Sequence, residues 1–388
     1  MDEASLIFPA QEYRMRIAGL QAAMAEGGFD ALLLTSPADI FYTTGFLTRF
    51  WESPARPWFV IVPNAGDPVA VIPSIGADLM GRTWLRDIRT WDAPDPRDDG
   101  VSLLADTLAQ VVAQNGRIGL PMGLETHLRM PLQDFEAVRA RLEPRRFVDA
   151  TACVQRVREV KSEAEIGKIR AACKVADRAF ARAPEFVQAG RPLADVFRDF
   201  QIALLAEGAD WVSYVAGGAG PDGYGDVISP AGPTPLQRGD ILMLDTGAVK
   251  DGYFCDFDRN FAIGPASDAS RHAYAALWQV TEDILDALRP GMLARDVHHL
   301  LYDGLLKRGV TPATGRLGHG LGVTLTEWPS FTPLDKTPLR AGMVLTLEPG
   351  CVTRNGRIMV HEENIVLHDD GPELLSLRAP EDLPEIIA

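Results

Sequence analysis

Hydrophobic positions in the first half of the chain switch between helical and strand periods. Between Gln11 and Glu26, Tyr13, Met15, Ile17, Leu20 and Met24 recur at roughly the helical repeat, and Gly27 with Gly28 ends the run. Residues 30–35 then read as a buried strand. Strands over 58–62 and 68–72, a helix over 102–115 and a strand over 117–120 follow. Strands alternating with helices predict a three-layer α/β domain. No phosphate-binding glycine loop follows these strands, so the pattern does not imply a nucleotide.

The texture changes from Arg156. A long amphipathic helix begins near Lys161, with Ser162 as N-cap and Glu165 three residues later as a capping box. Further helices are predicted over 192–207, 267–289 and 294–308. Strand-like runs cover 240–246, 253–263, 343–352 and 357–368. Strand runs beside blocks of helix read as α+β rather than a second parallel sheet. The domain boundary falls between Asp149 and Lys161, giving domains of 1–155 and 156–388.

Size and charge narrow the function classes. The chain has 388 residues, 46% of them hydrophobic, enough for two cores. The formal net charge of −15 keeps the protein soluble and makes nucleic acid and membrane poor partners. Cys153, Cys173, Cys255 and Cys351 stand far apart, with no CxxC pair. They read as reduced thiols of a cytoplasmic protein. The opening residues lack the pattern of a secretory signal, and no run of about 18 apolar residues exists.

Two predicted hairpins carry the chemistry. In the first, Asp251 and Gly252 signal a two-residue turn. Opposed residue numbers then sum to an odd value, and Asp245, Asp256 and Asp258 face one side. Side chains opposite or diagonal on one face lie within about 8 Å, where like charges destabilise a sheet. Burying them costs several kcal/mol each unless a cation compensates, and a metal is the usual one. In the second hairpin Asn355 and Gly356 mark the turn. A two-residue loop would put Glu348 and Glu362 on opposite faces. A three-residue loop over 354–356, its glycine left-handed, sets them directly opposite, and this loop is predicted. Between the hairpins lies His319, flanked by Gly318 and Gly320, which let backbone approach a site closely. Four carboxylates and one imidazole suit Mn²⁺, with Co²⁺, Fe²⁺ or Zn²⁺ as alternatives. The ligand count matches two ions about 3.5–4 Å apart. Taken singly, each residue also fits a turn, cap or strand-end role. The conjunction on one face is what favours a metal.

Asp245 and Asp256 eleven apart, Gly318-His319-Gly320-Leu321-Gly322, Leu347-Glu348-Pro349-Gly350 and Glu362 resemble the ligands of the aminopeptidase P/prolidase/creatinase family. That family shares its pita-bread domain with methionine aminopeptidases. Residues 158–166 resemble the entry into this domain, and the N-terminal half, including residues 40–46, is similar to the family's creatinase-like domain. The resemblance implies that Asp245 chelates one ion, that Asp256 and Glu362 bridge both, and that His319 and Glu348 complete the other. Glu348 would also accept a proton. A homodimer is implied in the same way.

The departures from the family pattern are equally informative. Relatives carry a further histidine seven residues after the ligand histidine, where this chain has Thr326. They carry another in the loop that here begins at Gly225, and a third at the position of Gly315, beside Arg316. Thr326, Arg316, Tyr224 and His361 are the candidate replacements. Asp258, where many relatives have Thr, reads as a hydrogen-bond partner behind the ligands, an extra acid near the metals, or a charge paired with Arg259. Trp51, Arg56 and Trp58 either shape a pocket or pack ordinarily. The expected activity is hydrolysis of small peptides with proline after the scissile bond, as in Xaa-Pro dipeptides. A metal-bound hydroxide would be the nucleophile and Glu348 the proton shuttle. The alternatives are hydrolysis or elimination on a small non-peptide substrate, and a non-catalytic binding module.

Overall fold

The computed structural model describes residues 7–53 and 56–387. The chain divides into two compact units between Arg158 and Glu159. In the first, α1 (Ala10–Gly27), β1 (Ala31–Leu34), α2 (Pro37–Thr44), β2 (Phe59–Pro63), β3 (Val69–Pro73), α3 (Ala77–Gly81), β4 (Asp87–Trp91), α4 (Val101–Val111), β5 (Arg117–Leu120), α5 (Leu132–Arg141), β6 (Arg146–Asp149) and α6 (Thr151–Arg158) follow in order. The six strands form one mixed sheet in the order β4-β3-β2-β1-β5-β6. Ala31, Leu33, Phe59 and Ile61 pack with Leu104 and Leu108 of α4 and Phe135 and Val138 of α5. The alternate residues Leu32, Leu34, Val60 and Val62 are buried too, and α1 contacts β2 and α6. Strands buried on both faces read as unbroken apolar runs, and the unit has the three layers expected of it.

The second unit holds α7 (Glu163–Ala181), α8 (Ala183–Phe186), α9 (Leu193–Ala206), β7 (Trp211–Pro221), β8 (Asp240–Lys250), β9 (Tyr253–Phe254), β10 (Phe257–Ile263), α10 (Asp268–Ala287), α11 (Ala294–Lys307), β11 (Thr311–Pro312), β12 (His319–Gly320), β13 (Glu327–Ser330), β14 (Val344–Leu347), β15 (Gly350–Val352), β16 (Ile358–Val360), β17 (Glu363–His368), β18 (Gly371–Leu374) and β19 (Glu385–Ile386). The capping box forms: Ser162 Oγ accepts from Glu165 N at 3.2 Å, and Glu165 Oε2 accepts from Ser162 N at 3.1 Å. Three sheets run β19-β10-β8-β7 with β9 on β8, β11-β15-β16, and β13-β12-β14-β17-β18. Leu277 and Ile284 of α10 and Leu301 and Leu305 of α11 join Leu345, Leu347 and Ile365 in one core.

The sequence pattern predicts single strands over 253–263, 343–352 and 357–368, and each is broken. The first breaks at Cys255 and Asp256, the second at Glu348 and Pro349, the third at His361 and Glu362. The last two breaks occur where the hairpin leaves one sheet for another. Leu347 pairs with Glu363 in the β14–β17 ladder, and Gly350 pairs with Val360 in the β15–β16 ladder. The register is continuous across the gap, so Glu348 and Glu362 stand opposite one another. The loop between Thr353 and Arg357 has three residues, with Asn355 (φ 58°) and Gly356 (φ 70°) both left-handed. That is the length predicted.

Candidate metal centre

The first hairpin positions three aspartates. Asp251 (φ 51°) and Gly252 (φ 80°) make the two-residue turn, and Lys250 pairs with Tyr253. Asp258 pairs with Asp245 in the same register. Asp256 lies in the break, where no strand partner serves its backbone. The side-chain amide of Asn364 serves it instead: Asp256 N donates to Asn364 Oδ1 at 2.9 Å, and Asn364 Nδ2 donates to Asp256 O. The second hairpin's breaks are served likewise. Glu348 N donates to Leu317 O at 3.0 Å, and Glu362 N donates to Asp258 Oδ1 at 3.2 Å. These bonds tie the two hairpins to each other and the second hairpin to the segment that carries His319.

His319 enters on β12, where backbones meet closely. A Cβ at Gly318 would lie 2.3 Å from Thr346 O, and one at Gly320 2.1 Å from Trp328 O. His319 Nε2 lies 3.3 Å from Asp256 Oδ2, and its Nδ1 lies 2.8 Å from Gly320 O. A donor at Nδ1 leaves Nε2 as the nitrogen facing the carboxylates. Asp256, His319 and Glu362 each offer a ligand atom within 4.8 Å of the other two.

The electrostatics favour a bound cation. Asp245, Asp256, Asp258 and Glu362 are buried, and Glu348 is partly exposed. Burial, then the charges of Asp256 and Glu348, pushes Asp245 well above the usual carboxylate range. Burial and the neighbouring acids do the same to Glu362. Burial raises Glu348 to about 7, with His319 pulling it down and Asp256 pushing it up. Burial would lower His319, but its hydrogen bond to Asp256 and that residue's charge outweigh it, so the imidazole is raised. Glu362 Oε1 is buried without a hydrogen-bond partner. A buried carboxylate oxygen left unpartnered is costly, and a divalent ion would satisfy it. The donor set, carboxylates and one imidazole, therefore fits a divalent metal.

Residues 167–370 match the model of metallopeptidase family M24, and residues 16–160 match the Creatinase/Prolidase N-terminal domain. The chain belongs to metallopeptidase family M24. A probable dipeptidase PepE of Mycobacterium tuberculosis is 32% identical over 371 residues, covering 94% of each chain. An Xaa-Pro dipeptidase of Pyrococcus horikoshii is 26% identical over 66% of this chain and 72% of its own. The crystal structure of dipeptidase PepE from Mycobacterium ulcerans superposes with a TM-score of 0.84 at 28% identity, covering 98% of this chain and 100% of that one. The M24 chain is thus a hydrolase of the metallopeptidase type, with a creatinase-like domain followed by a pita-bread domain.

The other candidate residues of this M24 chain sort by their contacts. Arg316 donates to Thr326 Oγ1 at 3.1 Å, and its charge reaches both His319 and Glu348. His361 turns elsewhere: its Nε2 accepts from Arg378 at 2.6 Å, and burial lowers its pKa to about 3. The ring is neutral and engaged behind the site. Tyr224 is also a packing residue, its hydroxyl accepting from Val360 N at 2.6 Å and donating to Asn260 Oδ1 at 3.3 Å. Arg259 does not pair with the carboxylate of Asp258. It bonds Glu363 and the main-chain carbonyls of Asp258 and Glu362. In the first unit, Trp51 and Trp58 pack edge to face at 5.7 Å, and Arg56 lies over Phe50. Arg129 donates to the carbonyls of Trp51, Ser53 and Arg56. Pro54 and Ala55, between them, lie outside the described residues.

Two residues escaped the sequence reading. Tyr214 donates its hydroxyl to Asp256 and lies 3.3 Å from both oxygens of Asp245. It is aimed there by a bulge in β7 between Val212 and Val215. Gly247 makes room, since a Cβ there would lie 2.5 Å from the Tyr214 ring. Asn364 is the other. Neither the β7 bulge nor the break at Cys255 and Asp256 has a clear signal in one sequence, although Gly247 two residues after Asp245 is a weak one.

Proposed function

We propose that this M24 hydrolase cleaves small peptides with proline after the scissile bond, using two divalent ions, Mn²⁺ foremost, held by Asp245, Asp256, His319, Glu348 and Glu362. The observation that carries this reading is that Asp256, His319 and Glu362 bring ligand atoms within 4.8 Å of one another, with Asp256, Glu348 and Glu362 at strand breaks and a buried Glu362 oxygen left unpartnered. Bound ions would supply Lewis acidity and an activated water. Glu348 is the partly exposed member of the set, and its carboxylate can take a proton from the attacking water and return it to the leaving amine. Tyr214 holds the Asp256 and Asp245 carboxylates in place. Thr326 stands at, and Arg316 beside, positions where the resemblance implies substrate-contacting histidines, and on this reading the guanidinium would meet a substrate carboxylate.

That same pair favours a second reading. A cation and a hydroxyl in place of imidazoles fit a small anionic non-peptide substrate as well. The deciding experiment is hydrolysis of a panel of Xaa-Pro and non-proline dipeptides by Mn²⁺-loaded enzyme, with and without chelator. Chelator-sensitive cleavage confined to Xaa-Pro is the expected result. Bound metal with no cleavage of any dipeptide would overturn the peptide reading in favour of the second.

A further inference from the structure

Asp258 pairs directly with Asp245 across β8 and β10. Two carboxylates facing each other on one strand pair repel, and both are buried. Asp258 is 1% exposed. Its Oδ1 accepts from Glu362 N at 3.2 Å, whereas its Oδ2 has no hydrogen-bond partner. The adjacent Arg259 is committed to Glu363 and to main-chain carbonyls. Among the described residues, the buried carboxylate oxygens without a partner are Asp258 Oδ2 and Glu362 Oε1. The Asp258–Glu362 hydrogen bond links the two residues that carry them. A buried carboxylate oxygen is rarely left dry and unpaired, and one cation shared by two on linked residues would satisfy both.

We propose that Asp258 is a further protein ligand of the metal centre, its Oδ2 binding a divalent cation beside Asp245 and Glu362. This rests on the metal-centre reading above and adds a fifth carboxylate to the imidazole. The set becomes harder and richer in oxygen, which favours Mn²⁺ over Zn²⁺. The competing role is that Asp258 only accepts the Glu362 N–H. Asp258→Asn separates the two, because it keeps volume and a carbonyl acceptor but loses the anion.

The test is Mn²⁺ affinity of the full chain, measured by competition with a chelating fluorophore, together with the electron paramagnetic resonance spectrum of the bound ion. The expected result is an affinity at least about tenfold lower in Asp258→Asn and an altered spectrum. Circular dichroism checks that the variant folds. Asp258→Thr, which retains a hydroxyl acceptor without charge, should show the same loss if the Asn variant does not fold. Wild-type affinity and spectrum in a folded variant would overturn the assignment of Asp258 alone. A wild-type chain that binds neither Mn²⁺, Co²⁺ nor Zn²⁺ would instead overturn the metal centre itself.

Discussion

Asp256, Glu348 and Glu362 share a local feature: each sits where its strand leaves the ladder, and each main-chain N–H is taken by a group outside that strand. A backbone freed from a ladder can turn its carboxylate inward, but the orphaned N–H and C=O must find partners. For Asp256 both are supplied by one amide, that of Asn364, which also accepts from Cys173 Sγ at 3.4 Å. Asn364 therefore positions a proposed metal ligand. Asn364→Ala should lower metal affinity by about 10–100-fold, the range typical of groups that orient ligands. Competition titration reads this directly. An unchanged affinity would mean that the break in the strand holds Asp256 without help. Restoration by Asn364→Gln is not expected, because the longer side chain cannot keep both bonds at once.

At the scale of elements, the site depends on parity. Strand side chains alternate, so a one-residue slip turns a whole strand's set to the other face. The continuous register from Leu347 and Glu363 to Gly350 and Val360 is what brings Glu348 and Glu362 together. Deleting Asn355 shortens the loop over 354–356 to two residues. The expected outcome is loss of bound metal, by elemental analysis, in a chain whose far-ultraviolet circular dichroism is retained. A deletion variant with full metal content would mean that sheet contacts, not the turn, set the register. Parity was readable from Asp251 and Gly252, and from Asn355 and Gly356, because turn chemistry is local. The Cys255–Asp256 break and the β7 bulge were not readable, since they depend on pairing within the sheet and no local residue marks them, whereas Pro349 is a local mark of the break after Leu347.

For the whole molecule, the proposed metal site would make stability a function of metal. Without an ion, mutually repelling carboxylates raise one another's pKa, as at Asp245 and Glu362. An ion that binds only the folded chain stabilises it by about 2.7 kcal/mol at a hundred times its dissociation constant. The Tm of the wild type should therefore rise on addition of Mn²⁺ and fall with chelator, while Asp256→Asn should respond to neither and contain little metal. Calorimetry with and without chelator tests this. Equal Tm values for the wild type under both conditions would argue against a resident ion.

The sequence by itself determined the acids and the histidine, the turn types that align them, the capping box at Ser162 and the alternation of elements in the first half. All of these follow from neighbours a few residues apart or from a fixed period. Only the tertiary structure decided that Tyr214 and Asn364 hydrogen-bond to the candidate ligand Asp256, that His361 and Tyr224 are engaged elsewhere, and that Asp258 keeps an unpartnered oxygen while bonded to Glu362. Those outcomes depend on which distant strand lies alongside, and on whether a buried polar atom finds its partner there. A single sequence does not encode that choice at any one position.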